Sequence, residues 1–92
     1  MTKYKLSPEG KDDLVRIYTY GISKFGQAQA DHYLSELLHS FERIVKNPNQ
    51  YPLVNHIVPG YRRCVYKSDS IYFKVNANIV QIMAIVGQQD FG

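Results

Sequence analysis

Ninety-two residues, 45% of them hydrophobic and 13% aromatic, specify one small domain spanning 1–92, with enough apolar side chains for a core and too little charge for a disordered chain. A net charge of +3 suits an acidic partner but is far from a nucleic-acid-binding extreme, so no direct nucleic-acid binding by the chain alone is expected. The lone Cys64 excludes an intramolecular disulfide framework and a cysteine-based zinc site; with no long apolar run and no leader-like segment in MTKYKLSPEG, the expectation is a reduced cytoplasmic protein without a membrane span.

The chain divides cleanly. KYKL, residues 3–6, alternates charged and apolar residues and predicts a short first strand. Ser7 is a good helix N-cap, and Pro8 fits the first helical position, where a missing N–H costs nothing. Glu9, Asp12 and Asp13 put negative charge near the positive end of the helix dipole. Leu14, Ile17, Tyr18, Ile22 and Phe25 recur at helical spacing, which predicts a helix from Pro8 to Phe25 that Gly26 stops.

A second helix carries the apolar stripe Ala30, Tyr33, Leu34, Leu37, Leu38, Phe41, Ile44 and Val45. Pro48 ends it by disfavouring helical geometry at Asn47. So short a connection predicts a helical hairpin. Residues 47–60 read as a surface loop or a single helical turn. Strands are expected near 61–67, 70–76 and 79–86, with turns at SD and AN. The order β-α-α-β-β-β predicts an α+β domain, its helical hairpin packed on one face of a mainly antiparallel four-stranded sheet. In NIVQIMAIVG both alternating sets are apolar: Ile79, Met83 and Ile85 on one side, Val80, Ile82 and Val86 on the other. Either the strand is central or sharply twisted, or a partner covers part of the second face.

GYRRCVYKSDSIYFKVN, residues 60–76, combines cations and tyrosines on a predicted hairpin. That composition fits a phosphate grip, a protein-docking surface or ordinary strand chemistry. Alternation puts Arg62 and Arg63 on opposite faces, so they form no single clamp unless the strand bulges. Tyr61, Tyr66 and Tyr72 suit half-buried packing in strands. His32 and His39 lie about 10 Å apart along the second helix, too far for a shared metal or proton relay. His56 has no evident carboxylate to orient it. Ser7, Ser68, Asp69 and Ser70 read as cap and turn formers, and Cys64 as a small core residue. No catalytic residue, metal ligand or cofactor site is assigned.

The hairpin with FGQAQADHYLSEL, the stop FERIVKNPNQYP, then VPGYRRCVYKSDSIYFKV and an apolar last strand resembles the ParE toxins of the ParE/RelE toxin–antitoxin superfamily over nearly the whole chain. The resemblance implies a cytoplasmic bacterial toxin, linked to growth arrest and plasmid maintenance. It implies neutralisation by a ParD-like antitoxin in a higher-order complex, and poisoning of DNA gyrase by stabilising its cleaved DNA complex. The RelE and YoeB branch of the superfamily instead cuts mRNA on the ribosome, a reaction needing clustered cations and a positioned acid and base. The segment VGQQDFG lacks the C-terminal histidine often found in cleaving relatives and in many ParE relatives. A toxin fold that binds its partner without toxicity is the third reading. The residues expected to contact antitoxin or target are Arg62, Arg63 and Lys67, with Gln88, Gln89 and Phe91 of the tail.

Overall fold

The computed structural model describes residues 3–87. Strand β1 (Lys3–Leu6) leads into helix α1 (Pro8–Phe25), which turns directly into α2 (Gln27–Lys46); a single 3-10 turn (Pro48–Gln50) and an irregular segment precede β2 (Arg62–Tyr66), β3 (Asp69–Asn76) and β4 (Ile79–Gly87). The sheet has the order β1-β4-β3-β2, with β1 parallel to β4 and the other pairs antiparallel. Both helices pack on one face, as expected from strands that follow a helical hairpin.

Gly26 makes the hairpin possible. Its φ of 92° is a conformation only glycine adopts without strain. Its N–H donates to the Ile22 carbonyl at 2.9 Å, ending α1, and its own carbonyl accepts from Ala30 at 3.1 Å, starting α2. The core between helices and sheet centres on Leu37, Phe41, Ile44, Ile71, Phe73 and Ile82, all fully buried. The irregular segment is anchored by buried Val54, whose N–H donates to Tyr61, and by the Leu53–Arg62 bridge.

The last strand departs from simple alternation. Phe73 registers with Ile82 but Tyr72 with Ala84, so Met83 is an extra residue: a bulge. The bulge reverses the phase of β4. Val80 and Ile82 face the helices before it, and Ile85 and Gly87 are buried after it. Ile85 therefore belongs to the core set rather than to the set of Ile79 and Met83. The doubly apolar pattern of this strand has its cause in that shift and in the central place of β4.

Helix α1 seats on the bulge. Ser7 N–H donates to the Ile82 carbonyl at 2.9 Å; Ser7 Oγ donates to the Met83 carbonyl at 3.0 Å and accepts the Gly10 N–H at 2.9 Å. A Cβ on Gly10 would stand 2.7 Å from the Ile82 carbonyl oxygen, so only glycine permits this approach. One turn on, Asp13 Oδ2 accepts the Ile85 N–H at 2.9 Å, and Arg16 donates to the Ile85 carbonyl at 3.0 Å and pairs with Asp13 at 3.3 Å. Strand β1 ends at Leu6, opposite Ile82, so α1 side chains satisfy the edge of β4 that β1 leaves open.

Candidate docking surfaces

The β2–β3 hairpin divides its two adjacent arginines between the two faces of the sheet. Arg62 points toward the helix side, where its Nη1 donates to the Tyr51 carbonyl at 2.6 Å and lies 3.5 Å from that of Asn49, fastening the segment after α2. Arg63 lies on the opposite, open face, in register with Tyr72. Lys67 occupies the turn at φ 53° and holds its Nζ 6.0 and 5.6 Å from the ring centroids of Tyr33 and Tyr66. Such distances permit a cation–π attraction. Gln88, Gln89 and Phe91 lie outside the described residues.

The turn itself is Lys67-Ser68, since Tyr66 pairs with Asp69; it sits one residue earlier than the SD reading. Asp69 is the first residue of β3 and is 1% exposed. It accepts a hydrogen bond from the Tyr33 hydroxyl on α2, tying hairpin to helix. Partial burial and the Asp69 carboxylate raise the Tyr33 phenol well above its ordinary value. Here the phenol is a neutral donor to a buried acid, and its ring meets that of Tyr66 at a tilt, 5.4 Å between centroids. The second turn, Ala77-Asn78, falls at AN as expected, with both residues at positive φ, as a tight hairpin matching the strand twist requires.

Between the helical hairpin and the Lys67-Ser68 turn runs a groove of about 440 Å³. Its apolar part comes from Ile17, Tyr20, Phe25, Ala30 and Leu34, and its polar end from Lys67 and Asp69. Phe25 is 62% exposed and Tyr20 41%. Phe25 thus lies outside the core, although its helical spacing places it on the apolar stripe. Gly21 faces Ala30 across the helical hairpin at the groove floor, where an added Cβ would come into van der Waals contact with that of Ala30 at 3.4 Å. The signal that could have marked the groove was two aromatic residues at i and i+5, too far round the helix to share one buried face.

Other chemistry is sparse among the described residues. His32, His39 and His56 are all exposed. No group of three or more His, Cys, Asp and Glu residues there could hold a metal ion. Burial raises the Cys64 thiol, which keeps it protonated and weakly reactive. Tyr18, Gln27 and Asp31 form an exposed cluster across the helical hairpin. Tyr18 donates to Asp31 at 2.5 Å, and that bond raises its phenol.

The class this geometry defines is a small α+β domain with a helical hairpin on one face of a mixed sheet and apolar and cationic surfaces open for docking. Within that class the chain belongs to the family described as the ParE toxin of the type II toxin–antitoxin system parDE, whose sequence model matches residues 4–90. It is 33% identical over 88 residues to Toxin ParE1 of Caulobacter vibrioides, covering 96% of this chain and 91% of that protein. It is 28% identical over 89 residues to Toxin ParE1 of Mycobacterium tuberculosis, with the same coverage. The fold matches a chain of the chromosomal ParDE TA system from P. aeruginosa with a TM-score of 0.82, at 22% identity and covering 95% of this chain and 96% of that one. The resemblance read from the hairpin and the PGYRR segment is thereby borne out, as is the fold class.

Proposed function

We propose that this ParE-family toxin is held inactive by a ParD-like antitoxin and, when released, poisons DNA gyrase by stabilising its cleaved DNA complex. The action is by docking, without acid–base chemistry of its own, in the cytoplasm where gyrase works. Family membership is consistent with both partners. The observation that carries the non-enzymatic reading is the division of the two arginines. Arg62 donates through Nη1 to the Tyr51 carbonyl on the helix side while Arg63 faces the other side of the sheet. A phosphorane needs cations converging on one point.

The antitoxin lays an apolar helix or extended segment along the groove, over Tyr20 and Phe25, in a higher-order assembly. Arg62, Arg63 and Lys67, with Gln88, Gln89 and Phe91, contribute contacts to antitoxin or target. Induced expression in a bacterium tests the target. Filamentation with a DNA-damage response is the expected result. Rapid translation arrest would instead assign the chain to mRNA cleavage, and unimpaired growth would make it a binding protein without toxicity.

A further inference from the structure

Among the described residues, the face of the sheet away from the helices is charged in one sense only. On β1 it presents Lys3 and Lys5, because Tyr4 and Leu6 pack against the core. On β3 it presents Ser70, Tyr72 and Lys74, between the buried Asp69, Ile71 and Phe73. On β2 it presents Arg63 and Val65, on either side of buried Cys64.

Strand register arranges these residues in rows. Lys3, Ile79 and Asn76 form one row; Lys5, Gln81 and Lys74 the next; Ala84, Tyr72 and Arg63 the third. The cations therefore run diagonally across the sheet, on β1, β3 and β2 with the uncharged residues of β4 between them, over about 20 Å from Lys3 to Arg63 at ordinary strand and residue spacings. No Asp or Glu lies in these rows. The helices hold six acids against five cations, and Asp69 is buried on the helix side. None of Lys3, Lys5, Arg63 and Lys74 is ion-paired among the described residues.

We infer that this diagonal stripe is a contact surface for a DNA phosphate backbone. Within the rows the cations are accompanied by Asn76, Gln81 and Tyr72, the polar side chains that commonly hold phosphates and sugars. The N–H and C=O groups of the central strands are used in the ladders, so this face offers an incoming peptide none of the main-chain pairing that strand addition uses. A phosphodiester chain needs only side-chain donors. The inference rests on the gyrase reading for what presents the DNA. Four cations hold free duplex only weakly at physiological salt, yet even this departs from the expectation, drawn from the net charge, of no direct nucleic-acid binding by the chain alone. A cleaved complex supplies the duplex at high effective concentration.

The test does not need gyrase. Binding of a fluorescein-labelled DNA duplex to the purified chain is followed by anisotropy as NaCl rises from about 25 to about 200 mM. The expected slope of log K against log salt is about −3.6 for four contacts, falling to about −1.8 in Lys5→Gln/Lys74→Gln. Lys24→Gln, on α1, leaves the slope unchanged, and circular dichroism confirms that each variant is folded. The single variants Lys5→Gln and Lys74→Gln each remove about 0.9 from the slope, should the double variant fail to fold. No binding at the lowest salt, or a slope indifferent to Lys5 and Lys74, overturns the inference. So does polyglutamate binding by a chain that ignores DNA, which would assign the face to an acidic protein segment. Duplex binding through the stripe without gyrase poisoning would keep this surface and remove the gyrase reading; poisoning without duplex binding would do the reverse.

Discussion

Gly10 has a task that its place in a helix hides. An exposed helical glycine replaced by alanine gains about 1 kcal/mol. Here the new Cβ would meet the Ile82 carbonyl oxygen at 2.7 Å, a backbone atom that cannot swing aside. Gly10→Ala is therefore expected to destabilise the fold by about 1–3 kcal/mol, the usual range for overpacking, and a urea melt reads the sign directly. Tyr33 offers a pH test. Its phenol is raised in the folded chain from the ordinary 10.0 by burial and by Asp69. The unfolded chain loses this proton first, so the stability it contributes is complete below pH 10 and declines as pH rises toward the folded value. Tyr33→Phe should lower stability at pH 7 by about 1–3 kcal/mol through the lost bond to a buried acid, and should flatten the alkaline decline. An equally steep decline in the variant would remove Tyr33 from the account. Neither role is legible in the sequence, where Gly10 stands within the predicted Pro8–Phe25 helix and Tyr33 on the apolar stripe of the next, because their partners are distant in the chain.

Elements were more legible than their joints. The apolar period of α2, the Ser7-Pro8 start and the Gly26 stop are local signals, and both helices begin or end where those signals stand. Strand existence was equally local. The bulge was not, because an extra residue shows only when β4 is aligned with β3. Asp13 illustrates the same limit. Its place near the helix start suggested a dipole role, yet its carboxylate reaches across to the Ile85 N–H. Ser7, Gly10, Asp13 and Arg16 recur every three residues and form the seam between α1 and β4, a row that winds about half-way round the helix and so leaves no single-face pattern in the sequence. Asp13→Ala is expected to cost about 1.5–3 kcal/mol, the range for a hydrogen bond to a charged group, with Asp13→Asn milder because an acceptor remains. Hydrogen exchange at the Ile85 amide should rise in Asp13→Ala more than at Ile71, which lies within the core. Equal changes at both amides would mean that the seam has no local role.

At the scale of the molecule, the fold separates three surfaces that composition alone blends together. The helix layer is nearly balanced in charge, the groove between helices and hairpin is apolar with a cation at its end, and the open sheet face is basic. A net charge of +3 conveys none of this segregation. The family was legible from the order and spacing of whole segments, since these reflect the arrangement of hairpin and strands. The groove was not legible, because exposure of Phe25 and Tyr20 depends on where the helical hairpin ends relative to the Lys67 turn. The function proposed above asks the chain to bind one partner that silences it and another that it traps. The most direct measurement combines purified chain, gyrase, ATP and supercoiled plasmid, scoring supercoiling and trapped double-strand breaks with and without the antitoxin. Trapped breaks that disappear when the antitoxin is added are the predicted result. Folded chain that arrests growth yet leaves gyrase unaffected would contradict the account and point to cleavage of mRNA on the ribosome.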